Sequence, residues 1–318
     1  VQLIMAASKN KSVFSLVYAG YIFEFLLMMV FNLILFILPW ALSWRLGRGF
    51  GWIAYKLLTK RKSTVARNIR RAFPDLGNPE VESLIKGCYL HWGEGFISTL
   101  KLWMISQRKA RSIVDAPGLD EYVLGSIERQ EPILYFTGHF GSWEMAGRYV
   151  GGLGDGAASI YRIQKNPIVD WFLTRIREYH QLELVNSWSG MSAFEEALRR
   201  TYGLAVVGDQ YKGKKGVQVD FFGIPSSTPR GAAVLTYRVN PKLVVLVCTQ
   251  HRGRYKIKIE EINYDLPETM TEEWVTDLTQ TLTFKLEQEI HKNPEQYFWF
   301  HRRWRDLDRQ DKKAKSAS

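Results

Sequence analysis

Cysteine is scarce in this chain of 318 residues, with only Cys88 and Cys248 present. They stand far apart, one in a helical pattern and one in a strand-like run. Two such residues build neither a disulfide framework nor a zinc site, and both read as buried apolar positions in a reducing compartment. No His, Cys and Asp cluster has metal-ligand spacing, so neither metal nor cofactor is expected. The phosphate loop of nucleotide hydrolases and the dinucleotide fingerprint are also missing. There is no G-x-S-x-G elbow: Ser142 follows Gly141 directly, which makes it a poor nucleophile. Zinc fingers, RNP-like motifs and repeated basic-aromatic patterns are absent too. The net charge of +11 is therefore not read as a nucleic-acid footprint. The long N-terminal apolar run lacks a small-residue cleavage site, so it is not read as a secretory signal.

What the chain has is apolar mass. Hydrophobic residues make up 46% and aromatics 14%, enough for a large core. From Phe25 to Leu42 the sequence is almost wholly apolar, broken by Asn32 and Pro39. That length suits a bilayer crossing, and Trp40 and Trp44 fit an interfacial belt. Glu24 has to lie near an interface or face protein. The cations Lys56, Lys60, Arg61, Lys62, Arg67, Arg70 and Arg71 follow. A basic cluster at that place marks the cytoplasmic side and attracts acidic lipids. The competing reading is a buried core helix followed by a solvated basic face. The expected divisions are an extension over 1–20, a membrane helix over 21–45, a catalytic domain over 46–305 and a charged, disordered tail over 306–318.

Beyond Ser63 come two helical stretches, the second opening at Pro79-Glu80, and then strands and helices alternate. Strands are expected at Pro132–Thr137, Ala157–Tyr161, Leu182–Val185, Leu204–Val207 and Val217–Phe222. A further pair, Leu243–Thr249 and Tyr255–Ile259, is joined through His251-Arg254. Helices are expected at Ser142–Tyr149, Pro167–Tyr179, from a capping box at Ser192 to Thr201, from Thr228-Pro229 to Arg238, and Thr271–His291. The alternation predicts an α/β fold with a central, mostly parallel sheet flanked by helices. Ligands bind beyond the carboxyl ends of such strands, and His139 and Asp209 both fall there.

Gly138-His139-Phe140-Gly141-Ser142-Trp143-Glu144 closes the first strand of this region. Residues five apart on one helix do not face each other. With His139 on the turn and Glu144 in the first helical turn they can meet, and an imidazole oriented by a carboxylate is a general-base arrangement. The bland alternative is a satisfied buried histidine beside a glutamate that favours a helix N-terminus. Arg162 closes a strand, and Arg177 lies in the next helix; arginines near a strand-end site suit phosphate or carboxylate groups. Arg177 reads equally as a solvated helix face, and Arg175 reads better as one. Asp209-Gln210 ends an apolar strand and precedes a loop carrying Lys212, Lys214 and Lys215. Thr228 opens a helix whose amides either hold an anion or are simply capped by its hydroxyl.

These residues resemble the late acyltransferases of bacterial lipid A biosynthesis, within the glycerolipid acyltransferase superfamily. The resemblance rests on the His139-x-x-x-x-Glu144 segment, with glutamate where the wider superfamily has aspartate. In order around it stand Asn68 before Phe73-Pro74, Tyr161-Arg162, Asn166-Pro167, Gly208-Asp209-Gln210, Phe221-Phe222-Gly223 with Thr228 and Gly231, and Gln296-Tyr297 with Trp299. It implies transfer of a fatty acyl chain from a thioester, on acyl carrier protein or CoA, to a hydroxyl of a lipid A precursor. His139 would be the general base and Glu144 would hold the imidazole. Arg162, Arg177, Asp209, Gln210 and Thr228 would serve the substrates, with Arg162 on an acceptor phosphate. No covalent acyl-enzyme is needed. The location implied is the bacterial inner membrane, with the catalytic domain on the cytoplasmic side. Ile163-Gln164-Lys165 departs from the pattern after Tyr161-Arg162, which bears on the acceptor headgroup. Another glycolipid acceptor, such as a mannosylated phosphoinositide, or a catalytically silent membrane scaffold are the other readings.

Overall fold

The computed structural model describes residues 11–154, 156–179 and 181–317. Its centre is strand β2 (Ile133–Thr137), buried along its whole length, as a strand covered on both faces must be. Parallel neighbours flank it, β5 (Gly203–Val207) on one side and β8 (Lys242–His251) on the other. With β1 (Val114–Asp115), β3 (Ala157–Tyr161), β4 (Leu182–Asn186) and β9 (Arg254–Glu261), the sheet order is β1-β9-β8-β2-β5-β3-β4. The one antiparallel pair, β8 with β9, turns at Arg252 and Gly253, whose φ angles of 50° and 76° suit a primed hairpin turn.

The two-residue alternation of the strands divides the core. Leu134 and Phe136 of β2 point to one face, packing among α3 (Thr59–Ala72), α4 (Asn78–Lys101), α10 (Gly231–Val239) and α11 (Glu272–Lys292). Ile133 and Tyr135 point to the other, against α5 (Gln107–Ile113), α6 (Leu119–Glu128) and α7 (Trp143–Gly151). Helices α8 (Pro167–Glu178) and α9 (Met191–Thr201) flank the β3–β4 end. Both cysteines are buried thiols, and burial raises the pKa of each.

The N-terminal region departs from expectation. The apolar helix α1 (Lys11–Ile37) has a stretch from Val17 to Ile37 long and apolar enough to cross a membrane, with a mean hydropathy of 2.2. It stops at Ile37 rather than running on to residue 45, because Pro39 sits extended at φ −56° and ψ 142°. A second helix, α2 (Trp40–Leu57), then starts in a new direction. Trp40 also holds the fold: its indole Nε1 donates to Gly253 O at 3.0 Å, and Trp44 lies against the same glycine. Glu24 faces protein, its carboxylate accepting from Asn166 Nδ2 at 2.8 Å. Lower on α1, Leu35 packs with Ile97 and Leu100 of α4, and Lys101 Nζ donates to the Leu38 carbonyl just beyond the helix end.

Helix α2 crosses α4 at backbone contact. A Cβ on Gly47 would lie 2.7 Å from Glu94 Cα, and one on Gly51 would lie 2.2 Å from the Tyr89 carbonyl. Two further expectations are corrected. Thr228 does not open a helix; it ends strand β7 (Ile224–Thr228), which pairs with β6 (Val217–Phe221) as a separate hairpin. The helix that follows begins at Gly231 without a side-chain cap. The tail is not structureless either. Arg305–Ala317 forms α12, and its buried Asp308 accepts from Arg67 and Arg71 of α3 at 2.8 Å each. A composition read as solvated thus hides one carboxylate that is paired and covered. The capping box at Ser192 does not form, because α9 already begins at Met191 after Gly190 in a positive-φ conformation.

Candidate active site

The loop after β2 is fixed by close approaches that only glycine permits. Gly141 takes φ +60°, and a Cβ there would sit 2.0 Å from the Cys248 carbonyl oxygen. Ser142 N donates to that same carbonyl at 2.7 Å, and Gly141 N donates to Gln296 O at 2.9 Å. Phe298 N donates to His139 O at 2.9 Å. The segment after α11 therefore forms the back of the loop. Asn68 of α3 holds that segment in turn, donating from Nδ2 to the carbonyls of Trp299 and His301 at 2.7 Å.

His139 is paired with Asp209. Its Nδ1 lies 2.8 Å from Asp209 Oδ1. The cause is the sheet register. Thr137 of β2 stands opposite Val207 of β5, so residues two further on emerge side by side at the carboxyl edge. Asp209 is 3% exposed along its side chain and His139 26%, so the carboxylate is enclosed and the imidazole edge reaches solvent. Gln210 places Nε2 3.3 Å from both ring nitrogens. Trp143 meets the imidazole edge-on at 5.1 Å.

Burial works against the imidazolium, but the charge and hydrogen bond of Asp209, helped by the Glu144 charge, outweigh it and raise the His139 pKa. Burial alone would raise the Asp209 carboxyl; His139, with a smaller contribution from Arg303, carries it the other way. Three groups stand behind the pair: Tyr297, from the Gln296-Tyr297 segment that carries the resemblance, and His301 and Arg303, which no motif marks. Burial, aided by the Asp209 charge, raises the Tyr297 phenol. His301 Nε2 accepts from Tyr211 N at 3.1 Å, and burial pushes its pKa to about 4. Arg303 is buried over the Phe221 ring at 5.0 Å. In the Arg302-Arg303-Trp304 run it looks like any basic pair, and no sequence signal marks it.

Glu144 does not hold the imidazole. No hydrogen bond joins the two; Glu144 accepts from Arg177 at 2.5 and 3.2 Å. Glu144 lies in the first turn of α7 and Arg177 in the last turn of α8, so the ion pair ties those helices together beside the histidine. The expected carboxylate partnership exists, but it belongs to the neighbouring strand.

The remaining expected site residues divide. Gln210 is in the site. Arg162 is exposed after β3 and makes no ion pair among the described residues. Thr228 is fully buried, with its hydroxyl oxygen accepting from Arg303 Nη2 at 2.6 Å, so it cannot reach a substrate. Arg175 is solvent-facing and pairs with Glu178 at 3.6 Å. His91 is structural: it is close to the Gly141 carbonyl, and burial lowers its pKa to about 4.

A narrow slot leads away from the Glu144–Arg177 pair. Its walls are Leu102, Leu173, Ile176 and Leu182, and Arg148 lies beside it one helical turn from Glu144. Leu182 begins β4, at the opposite end of the sheet from the histidine. Its volume is about 20 Å³, room for little more than one water. Arg148 donates to the Gln107 side chain and to Ile105 O. A wider hollow near Pro132, Lys242 and Tyr264 lies at the amino ends of β2 and β8, away from this chemistry.

Residues 9–306 match the model of the bacterial lipid A biosynthesis acyltransferase family. The chain belongs to that family. Among curated proteins, this lipid A acyltransferase homologue is 27% identical to the lipid A biosynthesis palmitoleoyltransferase of Escherichia coli K12, over 84% of this chain and 86% of that one. It is 26% identical to a lipid A biosynthesis acyltransferase of Haemophilus influenzae, over 88% of both chains. The lipid A biosynthesis lauroyltransferase of Escherichia coli K12 is 25% identical, over 84% of this chain and 87% of its own.

Proposed function

We propose that this acyltransferase-family member moves a fatty acyl chain from a carrier thioester to a hydroxyl of a lipid A precursor, at the cytoplasmic surface of the inner membrane. The observation that carries the reading is the His139–Asp209 pair at the carboxyl edge of the sheet. With Nδ1 engaged by Asp209, Nε2 is the basic nitrogen at the open edge. It takes the proton of the acceptor hydroxyl as the oxygen attacks the thioester carbonyl. A new C–O bond forms, the C–S bond breaks, and the imidazolium returns the proton to the leaving thiolate. Asp209 holds the tautomer and stabilises the transient cation. The first amides of α7, which no side chain caps, and Arg177 are the groups nearest to meet the oxyanion.

The exposed lysines Lys212, Lys214 and Lys215 lie within five residues of Gln210. That basic edge suits an acidic carrier protein as donor, and exposed Arg162 suits an acceptor phosphate.

His139→Ala is expected to lower the rate of transfer from acyl carrier protein thioester to a lipid A precursor by about 10²- to 10⁴-fold, in a protein that still unfolds cooperatively, though at a lower temperature because enclosed Asp209 loses its partner. Mass spectrometry of the lipid product reads the outcome. Full activity in a folded His139→Ala protein would remove the general base from this reading.

In the same reading the acyl chain enters along this slot, which widens from its present volume of about 20 Å³ to take it. Gly147 lies on α7 between Glu144 and Arg148, and a Cβ there would stand 3.3 Å from Leu182 Cδ2. Gly147→Val pushes Leu182 into the slot. The longest accepted thioester is then expected to lose about tenfold in kcat/KM relative to shorter ones, the discrimination of roughly one methylene. A chain-length profile parallel to that of the wild type would place the chain elsewhere.

A further inference from the structure

Helix α2 presents a face that none of the described residues covers. Ser43, Gly47, Gly51 and Ala54 are buried against α4. About a quarter-turn round the helix from that face stand Leu42, Leu46, Ile53 and Leu57, all exposed, Leu57 by 72%. Their spacing of i, i+4, i+11 and i+15 makes one stripe. Alongside the stripe run the exposed cations Arg45 and Lys56, while Arg48 is turned to Glu94 of α4 at 2.8 Å. Arg45 lies 5.2 Å from the Trp44 ring centroid and Lys56 5.9 Å from that of Trp52. A soluble helix of this exposure would be polar on that face; this one is half apolar and half basic.

We infer that α2 lies in the plane of an anionic bilayer surface, with the Leu42–Leu57 stripe sunk among the acyl chains and Arg45 and Lys56 at the headgroups. This rests on the reading of α1 as a membrane helix. Two features favour lipid over a protein partner. The first is continuity: only Leu38 and Pro39 separate α2 from the end of the apolar helix, so the stripe starts where that helix leaves the bilayer. The second is charge: the flanking cations, together with exposed Lys60 and Arg61 just beyond, match anionic headgroups. The glycine crossing with α4 makes the pose rigid, so α2 would brace the catalytic domain against the surface at a second place.

The test uses the whole chain in nanodiscs of phosphatidylcholine with or without phosphatidylglycerol. Because Cys88 and Cys248 are buried, an environment-sensitive dye can be placed on one introduced cysteine at a time. The positions are Leu46→Cys and Ile53→Cys on the stripe, Ile34→Cys in α1, and Glu273→Cys at the exposed start of α11. The inference expects blue-shifted emission at the two stripe positions relative to Glu273→Cys, quenching by a lipid-borne quencher, and a smaller shift without phosphatidylglycerol. Stripe probes as wet as Glu273→Cys overturn it. If Ile34→Cys stays blue-shifted in that case, the reading of α1 survives alone. A wet Ile34→Cys with dry stripe probes sinks the reading of α1 and supports α2 as a surface helix. A blue shift that appears without lipid and grows with protein concentration means that a second copy covers the stripe, and overturns the inference as well.

Discussion

Asp209→Asn is expected to cost about a thousandfold or more in acyl transfer without unfolding the chain. The amide keeps the size of the side chain but leaves the imidazole without an anionic partner and free to take the wrong tautomer. The pH profile carries the sign. His139 acts when neutral, so the rate rises with pH through a limb set by its pKa. In the wild type that limb lies above the ordinary histidine value of about 6.5, because Asp209 overcomes burial. In Asp209→Asn the attraction is gone and burial remains, so the limb moves to lower pH while the plateau falls. Glu144→Gln leaves the Nδ1 bond in place and frees Arg177 from its partner. Its limb is expected to move less than that of Asp209→Asn. If Glu144→Gln shifts the limb strongly and Asp209→Asn leaves both limb and plateau alone, the wrong carboxylate has been assigned to the histidine.

The second large effect concerns stability. In Gly93→Ala the new Cβ would stand 2.2 Å from the Gly47 carbonyl oxygen and 2.6 Å from Gly51 N. Every nearby atom is backbone, so no side chain can swing aside. Overpacking of this kind costs about 1–3 kcal/mol and sometimes more, against a gain of about 1 kcal/mol in helix propensity. The steric loss is expected to win, lowering the unfolding temperature and loosening α2. Gly95, two positions on in the same helix, has no atom within 4 Å of its would-be Cβ. Gly95→Ala is therefore expected to raise stability by about 1 kcal/mol. Thermal unfolding of the two variants in the same lipid discs decides; equal midpoints would mean that the crossing is not tight.

The alternation of strands and helices was legible because each central strand is a short apolar run with turn signals at both ends. The site was half legible. A histidine at one strand end and an aspartate at another could be placed at the same edge from topology alone. Their pairing could not, because it depends on β2 and β5 being adjacent and in register, and 70 residues separate the two side chains. Within the sequence the nearest acid, Glu144, was the natural partner; tertiary structure gives it to Arg177. Other misses have local causes. Thr228-Pro229 has the form of a helix start, yet β6 recruits Thr228 as a strand residue. Pro39 ends a helix that hydropathy alone would continue. Asp308 sits in a strongly charged tail, and only the arginines of α3 show why it is covered.

Asn166 has a consequence for scale. Its Oδ1 accepts from the amides of Ile168 and Val169 to start α8, while its Nδ2 grips Glu24 on the apolar helix. One amide side chain thus fastens the apolar helix α1 to the helix that ends in Arg177. With α1 in the bilayer as proposed, the height of the reacting centre over the lipid plane is then a fixed dimension of the molecule, like the reach of a crane bolted to its mast. Acceptor hydroxyls at one depth would be served, and those deeper or shallower passed over, before any headgroup is recognised.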